Sequence, residues 1–190
     1  MKKILVAVIL LMTAASGAQA QRGGGRYATP FAHVAGALPL SNSADTYNTG
    51  IHGDVGVEIG SATAATRLGW RATIGFNHFG GKADGTKLDI TSGNADIVLA
   101  VHPASSSVGV YVVGGPGFYQ HKTKVEAGGL NLDRTTSKIG IDGGISLRLL
   151  RRYVSPEIES RAHVIFSEGN NITFLSVGIG IVVNRRGNRR

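Results

Sequence analysis

The stretch LGWRATIGFNHFGG, residues 68 to 81, alternates apolar and polar side chains almost without exception. The apolar positions are Leu68, Trp70, Ala72, Ile74 and Phe76, and the positions between them are Gly69, Arg71, Thr73, Gly75 and Asn77. A side-chain period of two indicates a β-strand with one apolar and one polar face. A soluble sandwich turns the apolar face inward, whereas a membrane barrel turns it toward lipid. The patterns in the rest of the sequence indicate which way Arg71 points.

The start of the chain has the pattern of an export signal. Basic residues precede an apolar run from Ile4 to Met12, and small residues follow as far as Ala20. This order predicts a secretory signal peptide over residues 1–20, cleaved after Ala20. The apolar run is shorter than the ~20 residues that a spanning helix needs. The sequence contains no cysteine, which excludes disulfides, thiol catalysis and thiolate metal sites.

The charge balance is basic, with a formal net charge of +8, and much of the excess lies in residues 184–190. A basic tail can bind nucleic acid or an anionic surface. Because the chain is exported, we expect a solvated periplasmic tail near anionic lipid headgroups or cell-wall polymer, and no nucleic acid partner. The predicted organisation is a signal peptide over 1–20, a single domain over 21–183 and a basic C-terminal tail over 184–190.

Period-two runs between turn signals predict eight strands and no helix after the signal peptide. The strands are expected at about residues 26–38, 50–61, 66–79, 87–101, 107–120, 134–149, 153–166 and 172–183. The connections alternate between mostly long polar segments and short ones, with HKTKVEAGGLNLD as the longest. An outer-membrane barrel that starts and ends in the periplasm has tight periplasmic turns and longer extracellular loops, in this order.

The polar faces of these strands carry both signs of charge among many small residues. The first strand and the glycine-rich fifth strand alternate too poorly for their faces to be assigned. Small residues between opposite charges suit a narrow lumen, where long side chains interdigitate and each charge needs a partner. We therefore predict that Arg71 points into a barrel and pairs with a carboxylate on a neighbouring strand. The predicted lumen charges are Asp54, Glu58, Arg67, Arg71, Asp96, Lys138, Asp142, Arg148, Glu157, Glu159 and Arg161.

The exported start, the strand LGWRATIGFN, the strand YVVGGPGFYQ and the closing ITFLSVGIGIVV resemble the small eight-stranded outer-membrane β-barrel family. That family includes the OmpA membrane domain, OmpX and opacity-type surface proteins. The resemblance implies an all-β, eight-stranded antiparallel up-and-down transmembrane barrel. The chain departs from the family at its end, since such barrels usually finish on an aromatic residue and this one ends in Arg189 and Arg190. Either Val183 ends the last strand before an added tail, or assembly uses another signal.

Other motifs receive structural interpretations. Gly114-Gly115-Pro116-Gly117 is followed by no lysine and no helix, so close packing or a bend in a barrel wall is expected. His163 with Ser160 or Ser167 is a weak hydrolase pattern, because Ser160 falls on the opposite face of its strand. The six histidines show no metal-ligand spacing, and the aromatic residues are expected at interfacial girdles or in packing.

We therefore expect a non-catalytic protein of the outer membrane of a Gram-negative-type bacterium, with a structural or surface-interaction role and no cofactor or metal. Its expected partners are outer-membrane lipid and a surface ligand at the extracellular loops, and the expected state is a monomer. One alternative is an exported soluble lipocalin-like barrel, which would invert every face. The other is a lipid-modifying barrel enzyme that uses His163.

Overall fold

The computed structural model describes residues 28–59, 68–101, 106–127, 130–151 and 153–184. The predicted signal peptide and Arg67 lie outside these residues, as does the predicted basic tail apart from Asn184.

The described chain forms a closed antiparallel barrel of eight strands arranged in sequence order. The strands are β1 (Ala28–Leu40), β2 (Gly50–Ile59), β3 (Leu68–Gly80), β4 (Thr86–Ala100), β5 (Val108–Ala127), β6 (Leu130–Leu149), β7 (Val154–Ile165) and β8 (Ile172–Val183). Each strand pairs with the next, and β1 pairs with β8 over Phe31–Leu40 to close the sheet. The predicted fold class is confirmed.

Two segments differ from the sequence-based prediction. The residues predicted as the longest loop are mostly strand, because β5 and β6 each continue for 20 residues and pair as far as Ala127 and Leu130. The prediction that no helix follows the signal peptide is wrong as well, since a five-residue helix, α1 (Asn42–Thr46), lies between β1 and β2. Among the described residues, no helix is long and apolar enough to cross a membrane.

Burial shows which face of each strand is inside. Trp70, Ile141 and Ile179 are 57%, 50% and 64% exposed, whereas Arg71 and Asp142 are 2% and 7% exposed. The apolar faces therefore point out of the barrel and the charged faces point into it. A lipocalin-like barrel requires the reverse arrangement, and the burial contradicts that alternative.

The strands with unassigned faces follow the same rule. In β1 the buried set includes Phe31 and His33, and in β5 it includes Tyr111, Val113 and Tyr119. These strands alternate poorly because the side chains that they turn inward are aromatic or aliphatic, like many of those that they turn outward. Amino-acid type alone cannot separate two faces of similar polarity.

Two apolar clusters close the interior. We call the end that carries the β1–β2, β3–β4, β5–β6 and β7–β8 connections the outer end, and the opposite end the inner end. The outer cluster contains Ala37, Phe79, Leu88, Ile90, Tyr119, Ile165 and Phe174. The inner cluster contains Val98, Ala100, Tyr111 and Val113. The charged residues fill the space between these clusters.

The narrow lumen explains an inward glycine of β8. Gly180 is paired with His33 across β1 and β8. A Cβ atom built at Gly180 would lie 1.7 Å from Cδ2 of His33, so no larger residue fits beside this imidazole. Close packing against His33 therefore explains the glycine at this position.

Candidate functional site

Nine of the predicted lumen charges are buried inside the barrel, namely Asp54, Glu58, Arg71, Asp96, Asp142, Arg148, Glu157, Glu159 and Arg161. Lys138 is half-buried and lies at the outer end, where it lines a polar cavity with Arg134. Arg67 is outside the described residues. The structure thus brings together one group of nine charges and places Lys138 in a second, separate location.

The inner part of the charge group is built on two arginines. The strand register sets Arg71 opposite Glu58 and Arg148 opposite Glu157. Arg71 lies 3.3 Å from Glu58 Oε2 and 3.3 Å from Glu157 Oε1. Arg148 donates to Glu58 Oε2 at 2.9 Å and to Glu157 Oε2 at 2.8 Å. Each of these two glutamates is therefore shared by both guanidinium groups.

Glu159 joins this part to a second cluster around Arg161. Its Oε2 accepts from Arg71 at 2.6 Å, and its Oε1 lies 2.9 Å from Arg161 Nη2. Arg161 also donates to Asp96 at 3.0 Å and to Asp142 at 3.3 Å. Charged groups taken from water need such partners, because an unpaired ion in a low-dielectric interior is costly. The network is therefore continuous across the lumen.

Histidines extend the network toward the outer end. His33 and His52 flank Asp54, with nitrogen to oxygen distances of 2.8 and 3.1 Å, and His52 also lies 2.8 Å from Asn77 Oδ1. Ligand atoms of His33, Asp54 and Glu159 lie within 4.8 Å of one another, a grouping that sequence spacing did not predict. Both oxygens of Glu159 are already engaged by arginines. We therefore interpret this group as part of the ion-pair network.

The structure does not bring together Ser160 and His163, two residues of the weak hydrolase pattern. The Ser160 side chain is on the outward face of β7, whereas His163 is 3% exposed and faces the lumen. Two hydroxyls lie 3.4 Å from the His163 ring, that of Tyr119 from Nδ1 and that of Ser176 from Nε2. The Ser176 hydroxyl donates to the carbonyl oxygen of Arg161. The ring of Phe174 stacks on His163 at 4.5 Å. These contacts show that His163 packs at the boundary of the outer apolar cluster.

A polar cavity of about 260 Å³ opens at the outer end. Its lining consists of His121, Thr123, Arg134, Thr136, Lys138, Ser167 and Glu168. Burial and the positive charges of Lys138 and Arg134 lower the pKa of His121. The Nδ1 atom of His121 is buried and makes no hydrogen bond to any described residue. The cavity therefore combines two permanent cations with a polar atom that lacks a partner, an arrangement suited to an anion.

This cavity depends on the strand extension that the sequence analysis missed. Thr123 pairs with Arg134, and His121 pairs with Thr136, and both His121 and Thr123 belong to the segment that was expected to be a loop. Because side chains of a strand alternate, His121 and Arg134 face the cavity while Lys122 and Asp133 face outward. Lys122 and Asp133 form an exposed ion pair at 2.7 Å. The only available signal for this extension was the lysine at every second position of HKTKV, which is weak because the residues between the lysines are mostly polar too.

Comparison with known proteins supports the fold. No family model matches the sequence, and no curated protein matches it. The structure is similar to that of Neisserial surface protein A (TM-score 0.59, 16% identity, 84% of this chain and 99% of that one). It is also similar to a major outer membrane protein from Thermus thermophilus (TM-score 0.57, 14% identity, 83% and 99%).

A third similar structure is that of Ail, the attachment invasion locus protein of Yersinia pestis, in complex with the heparin analogue sucrose octasulfate. The TM-score is 0.53 at 12% identity, and the match covers 84% of this chain and 99% of Ail. At these identities the likeness shows the fold alone. The resemblance drawn from the sequence is confirmed at that level, since the neighbours are small outer-membrane barrels.

Proposed function

We propose that this chain, which has the fold of the small outer-membrane barrels, is an exported, non-catalytic outer-membrane protein that binds anionic surface ligands at its outer end. In this proposal residues 1–20 are removed on export, residues 21–183 form the barrel, and residues 184–190 remain as a periplasmic tail. The barrel orientation is the one that the pattern of connections predicts.

The outward surface supports membrane insertion. Large apolar side chains such as Val34, Trp70, Ile141 and Ile179 are exposed on strands all around the barrel. Soluble monomers rarely expose such a continuous apolar surface. A closed barrel also satisfies its backbone hydrogen bonds internally, which the hydrocarbon region requires. The exposed belt is therefore explained if lipid covers it.

The interior supports a structural rather than a transport role for the lumen. The carboxylates of Glu157 and Glu159 are engaged by arginines, and apolar clusters lie above and below the network. An eight-stranded barrel has an interior that side chains can fill. We therefore assign ligand recognition to the outer end and not to the lumen.

The outer cavity is the observation that indicates which class of ligand the protein binds. Arg134 and Lys138 place two cations beside the unpartnered Nδ1 of His121, with Glu168 as the opposing carboxylate. Sulfate, phosphate or carboxylate groups of a surface polysaccharide match this charge pattern, because charge-assisted hydrogen bonds to arginine are among the stronger polar contacts. The complex of Ail with a heparin analogue supports the same class of ligand for this chain.

Calorimetric titration of the refolded protein in detergent with sucrose octasulfate tests this proposal. We expect binding by the wild type and a loss of roughly tenfold or more in affinity in Arg134→Gln/Lys138→Gln, since each charged hydrogen bond contributes about 1.5–3 kcal/mol. Lys82→Gln removes one exposed charge from the β3–β4 connection and should bind normally. Equal affinity of the double variant and the wild type would contradict the site.

Membrane placement is tested separately by fractionation of cells that express the chain. The mature protein, beginning at Gln21, should pellet with the outer membrane and migrate differently on gels before and after boiling. A chain that stays in the periplasmic fraction without detergent would refute membrane insertion, whatever the titration shows.

A further inference from the structure

The outward-facing surface of the barrel carries an apolar groove of about 480 Å³ that crosses β2 to β5. Its floor consists of the small residues Ala72, Gly93 and Ala95, and its sides include Val55 and Phe118. The floor is low because three neighbouring outward positions hold no side chain larger than a methyl group. The small residues in the sequences of β3 and β4 therefore create the groove.

The sheet is irregular along one side of this groove. The β4–β5 ladder pairs Asn94 with Gly117 and Ile97 with Gly114, but it is interrupted between these pairs at Pro116. Proline has no backbone N–H and cannot donate to a ladder, so it is unusual inside a sheet. Pro116 also lines the groove. The interruption and the small residues thus coincide at the same place on the wall.

A groove within the exposed apolar belt is filled by hydrocarbon once the barrel is in a membrane. Phe118 beside it and Trp70 below it are 54% and 57% exposed. Apolar surface that touches nothing loses its dispersion contacts, so an ordered chain that fits the groove is favoured over an empty one. The chemistry of the lining, almost wholly apolar, matches a lipid acyl chain.

The strands that border the groove continue outward to two lysines that lie opposite each other. On the outward face of β5, Phe118 is followed by Gln120, Lys122 and Lys124, and Lys124 lies directly opposite Lys87 of β4. Lys122 is paired with Asp133. Lys87 and Lys124 form no close ion pair among the described residues. Two carboxylates share this outward surface, since Asp133 lies opposite Lys124 on β6 and Asp89 lies opposite Lys122 on β4. Like charges opposed across two strands are destabilising, and a bound anion between them removes that cost.

The spacing between groove and cations fits one lipid molecule. From Phe118 to Lys124 the strand rises by roughly 20 Å at about 3.3 Å per residue. With the usual strand tilt this is roughly 15 Å along the membrane normal, about half of the hydrocarbon thickness. A headgroup at Lys87 and Lys124 would therefore place its acyl chain beside the groove.

We propose that the outer wall formed by β3, β4 and β5 binds a phosphate-bearing lipid of the outer leaflet. Its phosphate lies between Lys87 and Lys124, and one acyl chain occupies the groove over Gly93 and Ala95. The inference rests on the proposed membrane insertion, and it concerns the outward face of the β5–β6 extension. The cavity of the proposed function uses the opposite, inward face.

The only tryptophan of the chain provides a local probe, since Trp70 lies two positions before Ala72 on the same outward face. The mature protein is inserted into phosphatidylcholine vesicles that contain a small fraction of lipid brominated on its acyl chains. The brominated lipid carries either a phosphatidic acid or a phosphatidylcholine headgroup. Quenching of Trp70 should show a preference of roughly fivefold for phosphatidic acid, the factor expected for one lysine near an anionic headgroup.

Two variants separate the headgroup contact from the groove. Lys87→Gln/Lys124→Gln should abolish the preference, whereas Lys138→Gln, an inward cation at the same end, should keep it. Gly93→Phe should fill the groove and reduce the preference. A Cβ at Gly93 meets no atom within 4 Å, so this variant needs no backbone shift. Gly36→Phe on β1, where a Cβ also meets nothing, is the matched control.

The outcomes distinguish this site from the proposed function. Equal quenching by the two brominated lipids, or a preference that survives in both variants, would overturn the lipid site while leaving membrane insertion intact. Absence of quenching by either lipid would refute insertion itself, and the lipid site with it. Protection of Trp70 that appears only in a self-associated fraction would identify a second copy of the chain in the groove and would also overturn the proposal.

Discussion

Glu159 is the residue on which the interior charges converge. One carboxylate oxygen contacts Arg71 and the other contacts Arg161, so the two parts of the network are joined through a single side chain. The apolar clusters on both sides exclude bulk water from this region. In such surroundings ion pairs interact strongly, but a charge that loses its partner is expensive. The network therefore specifies the arrangement of the lumen more than it adds to net stability.

Removing one arginine tests this reasoning. Arg161→Met leaves Asp96, Asp142 and Glu159 without their shared cation, and the free energy of unfolding should fall by about 3–5 kcal/mol. The measurement is the urea midpoint of the refolded barrel in detergent. Lys122→Met breaks only the exposed pair with Asp133 and should leave the midpoint unchanged, since exposed pairs contribute little. Equal midpoints for Arg161→Met and the wild type would argue against a buried network.

A second residue-scale prediction concerns pH. Burial and the neighbouring cations lower the pKa of His121, so its imidazole is neutral near pH 7 in the free protein. A bound anion favours the protonated ring and raises this pKa. Affinity for sucrose octasulfate should therefore increase as the pH falls through the bound-state pKa and level off below the free-state pKa. His121→Gln should remove this dependence in titrations at several pH values, and an unchanged pH profile in that variant would exclude His121 from the site.

At the scale of elements, the β5–β6 extension is an addition to a barrel that closes without it. The pairing of β1 with β8 completes the barrel wall. Beyond Tyr119 and Lys138, β5 pairs with β4 as far as Val125, whereas β6 pairs only with β5. Its inward face lines the outer cavity, and its outward face carries Lys122 and Lys124. One hairpin thus presents lysine or arginine side chains on both of its faces, one toward the cavity and one away from the barrel.

Shortening this hairpin should separate folding from binding. Replacing residues 123–134 with Asn-Gly joins the paired positions Lys122 and Thr135 by a two-residue turn, which this dipeptide favours. The variant should still change mobility on boiling, because it loses only the outer ends of the β4–β5 and β5–β6 ladders, but it should lose affinity for sucrose octasulfate. Failure to fold would show that the extension is part of the barrel's stability, and retained affinity would place the ligand elsewhere.

The strand elements themselves could be predicted from the sequence, with limits that have physical causes. Arg71 and Ile141 were assigned to the correct faces because alternation is a local property of the chain. The extension was missed because its alternating lysines and threonines are polar on both faces, like those of a solvated loop. The helix Asn42–Thr46 was missed because five residues are too few to show a helical period.

The contacts of the site were less predictable than its residues. Arg71 with Glu58 is a pair between neighbouring strands, as expected. Arg71 with Glu159 connects residues 88 positions apart on strands that are not neighbours, and only closure of the barrel brings them together. The cavity around His121 required the register of β5 with β6, and the apolar groove on the outward face required that of β3 with β4 and β5. Registers of this kind are properties of the whole sheet.

At the scale of the whole molecule, the interior is arranged in successive layers along the barrel axis. Phe79 and Phe174 meet edge to face at 5.4 Å in the outer apolar cluster, and Arg148 lies 4.5 Å from the Tyr111 ring at the inner one. Between them, guanidinium and carboxylate groups occupy the lumen. A permeating ion would have to pass both apolar clusters and break the network.

The mature chain should therefore give no stable, wide, porin-like conductance when it is reconstituted in planar bilayers. Phe79→Ala/Phe174→Ala removes the two large rings of the outer cluster but leaves the network around Arg71 and Arg161 and the inner cluster in place. This variant should also fail to form a wide pore. Water should nevertheless gain access to the outer part of the lumen, and hydrogen exchange of the backbone amides in the strands around it should accelerate. A steady porin-like current through the wild type would show that the layers open as a unit. A wide current that appears only in the double variant would show instead that the outer rings alone close the barrel, because the buried ion pairs would then have presented no barrier to a hydrated ion.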